Sequence, residues 1–138
     1  MRYPIVIHHE PGTAYGVTVP DIPGCFSAGD TFDEALDNTR EAISGHLSAL
    51  ADRGEVAPAA TSVDAHLNNP DYAGGVWAIV EVDVSAFMGK CEKVTVTLPS
   101  LLVKKIEDEV RAGRAKNRSS YLADSVARAM AQDGRFNA

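Results

Sequence analysis

The chain has few cysteines and no long apolar run. Its two cysteines among 138 residues, Cys25 and Cys91, lie far apart and neither belongs to a CxxC pair. This spacing argues against a disulfide framework or a cysteine metal site, so we expect two small, buried apolar side chains. No run of residues is apolar enough to cross a bilayer, and "MRYPIVIHHE" lacks the features of a signal peptide. We therefore expect a cytoplasmic protein with no membrane partner.

Motifs for metal ions and cofactors are also missing. His8 and His9 are adjacent on a predicted strand and point to opposite faces, while His46 and His66 have no third ligand at a useful spacing. Neither "PGC" nor "AGG" has the spacing or the lysine of a phosphate-binding loop. We predict no metal, no cofactor and no catalytic residue.

Charge is distributed unevenly along the sequence. Residues 1–90 contain 4 basic and 13 acidic side chains, a formal charge of −9, whereas residues 91–138 contain 9 and 6, a formal charge of +3. Such asymmetry indicates two modules with different partners. We divide the chain into a first domain at residues 1–85, a linker at 86–91 and a second domain at 92–138.

The first domain reads as a mixed α+β unit with an antiparallel sheet and one long helix. "MRYPIVIHHE" and "AYGVTVP" form a predicted hairpin, and a short third strand follows at 25–28. In "DTFDEALDNTREAISGHLSALADRG", Thr31 is a predicted N-cap with Glu34 three residues later, and Gly54 is a predicted C′ residue. "VWAIVEVDVS" is apolar enough to be a central strand.

The second domain begins with "CEKVTVTLPS", in which apolar and polar residues alternate up to Pro99. This alternation predicts a strand with one buried face, and helices at about 100–112 and 119–132 follow it. No later strand is available to pair with it, and unpaired strand edges are costly when buried. We therefore predict that two copies of the chain pair these strands in an antiparallel ribbon.

The predicted dimer core consists of the apolar side of this strand and one face of each helix. Its members are Val94, Val96, Leu98, Leu102, Ile106, Leu122 and Val126, joined by Val110 and Met130 at the same helical spacing.

The polar side of the ribbon, Lys93, Thr95 and Thr97, then faces outward from each chain. A two-stranded ribbon fits the major groove of B-DNA, where such side chains read base edges. Ser119 is the predicted N-cap of the last helix. The free backbone N–H groups at this helix start, at Ser119 and Ser120, are predicted to bind a phosphate. Lys116 and Arg118 add positive charge beside it.

Residues 93–130 resemble the ribbon-helix-helix DNA-binding fold, and the N-terminal part resembles the HicB antitoxin family. The latter likeness is carried by "YPIVIHHEPGTAYGVTVPDIPGCFSAGDTFDEALDNTREAI" and "NPDYAGGVWAIVEVDV". The resemblance implies a partial RNase H-like domain that binds and neutralises a HicA-type mRNA-cleaving toxin. It also implies a repressor domain that binds operator DNA of its own operon as a homodimer or higher oligomer, and it places the base-reading positions at Lys93, Thr95 and Thr97.

Two other functions are compatible with the residues. The carboxylates of Asp21, Asp30, Glu81 and Asp83, with Glu34 nearby, could hold Mg²⁺ in a small metal-dependent nuclease. Alternatively, the ribbon could dimerise without touching DNA. We favour a non-enzymatic antitoxin and repressor, because helix starts and turns account for most of these acidic residues.

Overall fold

The computed structural model describes residues 1–133 and divides the chain into two compact units, Met1–Met88 and Gly89–Ala138. The predicted mixed α+β class is confirmed. In the first unit, strands β1 (Arg2–His8), β2 (Tyr15–Thr18) and β3 (Phe26–Gly29) precede helix α1 (Phe32–Asp52), and strand β4 (Val76–Glu81) follows it. Within residues 1–133, no helix is both long and apolar enough to span a membrane.

The four strands form one antiparallel sheet in the order β3-β2-β1-β4. β1 is the central strand, with Val6 opposite Thr18 of β2 and Trp77 of β4. The prediction that residues 76–85 form a central strand was wrong, because β4 lies at the end of the sheet and, among the described residues, pairs only with β1. Ile79 of β4 is accordingly 48% exposed.

Both ends of α1 form as the sequence predicts. The Thr31 hydroxyl accepts a hydrogen bond from the backbone N–H of Glu34 at 3.1 Å, and the Glu34 carboxylate accepts one from the Asp30 N–H at 3.3 Å. At the other end, Gly54 has φ +73° and its N–H donates to Ala51, while the Glu55 N–H donates to Leu50. These two bonds make a Schellman motif, which satisfies the last carbonyl groups of the helix.

One face of the sheet packs against α1 to form the core of the first unit. Alternate residues of β1, namely Tyr3, Ile5 and Ile7, are buried there with Ile43 and Leu47 of α1. Period-two alternation in the strand and near-fourfold spacing in the helix bring these side chains together. The burial of such large apolar side chains is the main stabilising contribution to the unit.

The other face of the sheet is covered by the connection between α1 and β4. This connection includes two short 3₁₀ segments, Val63–Ala65 and Pro70–Tyr72, and it leaves Val6 fully buried. Gly75 lies directly on that face, because a Cβ atom there would be 2.3 Å from Cγ2 of Val6. The sheet is therefore buried on both faces at its centre.

The second unit contains two helices, α2 (Ser100–Arg111) and α3 (Arg118–Gln132), close to the predicted ranges. Residues 91–98 have no regular secondary structure in the single chain. A 3₁₀ segment at Val84–Phe87 belongs to the first unit, so part of the predicted linker is structured there.

Candidate functional site

The "VPDIPGC" segment between β2 and β3 forms a compact corner. The Val19 N–H donates to the Cys25 carbonyl at 3.1 Å, and the Cys25 N–H donates to the Ile22 carbonyl at 3.0 Å. All three of these side chains are buried, and burial raises the pKa of the Cys25 thiol. The corner is fixed by its own hydrogen bonds and apolar contacts, and Cys25 is confirmed as a buried structural residue.

Asp21, at the tip of this corner, joins it to the connection between α1 and β4. Its carboxylate accepts from the Thr61 N–H at 2.7 Å and from the Thr61 hydroxyl at 2.8 Å, and Nε2 of His66 lies 3.0 Å away. The Asp21 side chain is only 5% exposed. Three polar contacts to one nearly buried carboxylate hold the two segments together.

His66 also anchors the connection between α1 and β4 to the sheet, through contact with Trp77 of β4. Its ring stacks on Trp77 with centroids 6.1 Å apart, and Tyr72 meets the Trp77 ring edge-on at 5.6 Å. Asp21 lies 40 residues from Thr61 and 45 from His66 in sequence, so no local pattern predicts the contact. The local signals for a rigid turn in this region are Pro20 and the adjacent Pro23 and Gly24.

The carboxylates proposed as a nuclease centre do not form one group. Asp21 is engaged by Thr61 and His66, and Asp83 accepts hydrogen bonds from the side chain and backbone of Ser85, which lower the pKa of Asp83. Asp30 lies at the start of α1 and Glu81 at the end of β4. In the part of the chain that the structure describes, no three or more His, Cys, Asp or Glu residues are arranged to hold a metal ion.

The segment 92–98 exposes both of its sides in the single chain. Val94 is 75% exposed and Val96 57%, and Lys93, Thr95 and Thr97 are exposed as well. Within residues 1–133, no hydrogen bond involves the backbone of this segment. Cys91, just before it, is also exposed, so the prediction that Cys91 is buried was wrong: no helix or strand described in its unit covers it.

The helices that follow leave much of their predicted dimer face open. Ile106 is buried between α2 and α3, and Leu98 and Leu122 are partly covered, whereas Leu102 and Val126 are each 51% exposed. Leu101, one position before Leu102 on α2, is 64% exposed. Large apolar side chains that are exposed together mark an interaction surface.

The start of α3 differs from the prediction in its capping residue. Asn117, not Ser119, is the N-cap, and its Oδ1 accepts from the Ser120 N–H at 2.8 Å. The helix begins at Arg118, one residue earlier than predicted, because the Asn117 side chain reaches the third N–H of the helix. Lys116, Arg118 and Ser119 are exposed, and Arg118 lies 3.8 Å from Glu107 in a solvent-exposed ion pair.

The family model described as the HicB-like antitoxin of bacterial toxin–antitoxin systems matches residues 3–126. This chain belongs to the HicB-like antitoxin family. The match spans both units, and it confirms the HicB resemblance that the sequence shows.

Two relatives cover nearly the whole of this HicB-like chain. An uncharacterised 14.9 kDa protein from the rep-hol intergenic region of Haemophilus phage HP1 is 40% identical over 89% of this chain and 92% of its own. The crystal structure of the Burkholderia pseudomallei antitoxin HicB is 42% identical, with a TM-score of 0.74 over 94% of this chain and 98% of that one.

A third relative is similar to part of the chain. A chain in a HicA3 and HicB3 toxin–antitoxin complex is 34% identical, with a TM-score of 0.52 over 60% of this chain and 99% of its own. Relatives of this HicB-like chain therefore include a component of a solved toxin–antitoxin complex.

Proposed function

We propose that this HicB-like chain is an antitoxin of a type II toxin–antitoxin system and the repressor of its own operon. The unit Met1–Met88 binds and neutralises a HicA-type mRNA-cleaving toxin, and the second unit dimerises as a ribbon-helix-helix and binds operator DNA. The protein acts in the cytoplasm through its two surfaces, without catalysis and without a cofactor. The observation that carries the repressor role is the open, alternating segment 93–98.

Dimerisation follows from what this segment lacks in the single chain. Its backbone makes no hydrogen bond within the described residues, and the side chains of Val94 and Val96 are exposed to solvent. Pairing with a second copy supplies the missing backbone partners and covers the valines with the exposed face of α2 and α3. The shared core is the predicted set, Val94, Val96, Leu98, Leu102, Ile106, Leu122 and Val126.

DNA binding follows from the residues that remain outside that core. Lys93, Thr95 and Thr97 lie on the other side of the segment and are exposed. In a paired ribbon they form a polar strip that enters the major groove and reads bases. Residues 89–138 contain 10 basic and 6 acidic side chains, a formal charge of +4, which favours contact with phosphate.

Phosphate contacts are assigned to the start of α3. Ser120 already donates its backbone N–H to the Asn117 cap, so the N–H groups of Arg118 and Ser119 are better placed to donate to a phosphate, with the Ser120 hydroxyl beside them. Lys116 and Arg118 supply positive charge there, and the exposed Arg118–Glu107 pair is weak enough to give way.

Toxin binding is supported by the charge of the first unit and by the family. Residues 1–88 contain 3 basic and 13 acidic side chains, a formal charge of −10. An acidic surface attracts a basic RNA-binding protein and speeds their association. A relative of this chain is part of the HicA3 and HicB3 complex.

A gel-shift with DNA from upstream of the gene tests the repressor role. We expect Lys93→Ala and Thr95→Ala to weaken specific binding by about 5- to 150-fold each, since one good base contact contributes about 1–3 kcal/mol. Binding should also fall steeply as salt increases. Lys104→Ala, an exposed lysine on α2 outside the ribbon, is the matched control.

Light scattering on the same samples separates base reading from dimerisation. The Lys93 and Thr95 variants should remain dimers. Unchanged DNA binding by both variants would exclude base reading by the ribbon, and a monomeric wild-type protein would exclude the ribbon itself.

A further inference from the structure

A groove of about 320 Å³ lies on the first unit, between the corner after β2 and the end of the connection that leads into β4. We name it the corner groove and define it by the residues that line it, which are Thr18, Val19, Pro20, residues 22–25, Phe26, Asp71 and Tyr72. Phe26 stands at its edge and is 65% exposed, the most exposed large apolar side chain described in this unit. An exposed aromatic residue beside a groove is typical of an interaction hot spot.

The walls of the corner groove are fixed before any partner binds. One wall is the corner itself, with Val19, Ile22 and Cys25 buried and hydrogen-bonded across it. The other wall carries Tyr72, which is held in place through Trp77 and His66, and Asp21 ties His66 back to the corner. A preformed groove loses little conformational entropy on binding, so its contacts contribute fully to affinity.

The chemistry of the corner groove is acidic and aromatic. Asp71 lies on its rim, and the Asp71 carboxylate makes no hydrogen bond or ion pair with any residue in the range 1–133. None of the lining residues is basic. A guanidinium or ammonium group fits this combination, because its alkyl stem packs on aromatic rings while its charge pairs with a carboxylate.

We infer that the corner groove is the docking site for the toxin, and that it receives an arginine or lysine side chain from the toxin surface between Phe26 and Tyr72, with the charged group at Asp71. This inference rests on the proposed antitoxin function, and it names the surface that function uses. The formal charge of −10 on residues 1–88 favours such a basic protein over a nucleic acid.

Calorimetry with the full chain and the small basic protein encoded beside its gene, prepared as an inactive variant, tests this site. Phe26→Ala should weaken binding about 30-fold, the usual effect of losing a hot-spot aromatic residue. Asp71→Lys should weaken it about tenfold or more, because it places a like charge where the toxin cation docks. The loss for Asp71→Lys should be largest at low salt.

Matched controls separate the groove from the rest of the unit. Val76→Ala removes another exposed apolar side chain, on β4, and Asp64→Lys reverses another exposed acid in the same connection. Both should bind the toxin within about threefold of wild type, as peripheral contacts do. Every variant should keep its thermal midpoint and its operator binding, since Phe26 and Asp71 are exposed.

Three results would overturn the assignment. If wild type binds the toxin and the Phe26 and Asp71 variants bind equally well, the groove is wrong and the antitoxin role stands. If Phe26→Ala changes the oligomeric state of the free protein, the groove is instead a contact between copies of this chain. If wild type does not bind the toxin, the proposed function fails together with the groove.

Discussion

The two units of this chain solve the problem of burying apolar surface in different ways. In Met1–Met88, Tyr3, Ile5 and Ile43 are completely buried by the sheet, by α1 and by the connection over the sheet. In the part of the second unit that the structure describes, Ile106 is the only buried apolar side chain, while Val94 and Leu102 remain exposed. A unit with a closed core is stable by itself, whereas a unit that exposes its core residues depends on a partner.

The largest effect should come from removing the partner contact of the second unit. Val96→Asp places a charge in the predicted dimer core, where it cannot be solvated, so we expect loss of the dimer and of operator binding. The unfolding transition of the first unit should stay within about 0.5 kcal/mol of wild type, because the core of that unit is made of its own residues. Sedimentation velocity and calorimetry measure the two effects.

Thr97→Asp is the matched control, since it makes the same change on the opposite side of the same segment. It should abolish DNA binding while the dimer persists. A Val96→Asp protein that remains dimeric would show that the second unit does not close its core through this segment.

An intermediate effect should come from damaging the core that closes within one chain. Ile43→Ala leaves a cavity beneath the sheet, and we expect a loss of about 2–5 kcal/mol in the free energy of unfolding of the first unit. Operator binding should be retained. Denaturant unfolding followed by Trp77 fluorescence reports on this unit, because Trp77 is the only tryptophan in the sequence. A matched loss of DNA binding would contradict the independence of the two units.

The sequence predicts most of the first unit because its signals are local. Alternation gives the strands, and the Thr31 cap and Gly54 give the ends of α1. The position of β4 at the edge of the sheet was missed, because a strand's apolar content does not distinguish a central strand from one covered by a loop. The contact of Asp21 with Thr61 and His66 was missed because it joins residues distant in sequence.

In the second unit, the same local signals predict both helices but not every residue role. Ser119 and Asn117 are both good capping residues, and a two-residue shift of the cap position decides between them. The exposure of Cys91 and of segment 92–98 reflects the absence of a packing partner among residues 1–133. The period-two pattern predicts a strand, and the sequence offers no second strand to pair with it, so we expect this segment to lack a partner in a single chain.

The smallest effect concerns one buried hydroxyl at the junction of β1 and the covering connection. Tyr3 is completely buried and its hydroxyl donates to the Pro58 carbonyl at 2.7 Å. Burial, with a smaller contribution from the Asp21 carboxylate, raises the pKa of Tyr3 to about 12. At neutral pH, Tyr3→Phe should cost about 1 kcal/mol in the free energy of unfolding through loss of this hydrogen bond.

The difference in unfolding free energy between wild type and Tyr3→Phe should depend on pH, and this dependence tests how well the core of the first unit excludes water. Because the pKa is higher in the folded state than the ordinary value of about 10, the folded state holds the proton more tightly. The stabilisation by the neutral hydroxyl is therefore complete below about pH 10 and is lost as pH rises towards 12, by on the order of 2–3 kcal/mol. Tyr3→Phe lacks this loss, so wild type should become the less stable protein at the alkaline end.

Tyr15→Phe, whose hydroxyl makes no hydrogen bond within residues 1–133, should parallel wild type throughout. Urea unfolding from pH 8 to 12 measures the free energy of unfolding of each protein. If wild type and Tyr3→Phe depend on pH in the same way, solvent reaches the edge of the core of the first unit. The contrast with the open second unit would then be weaker than the burial of Tyr3 indicates.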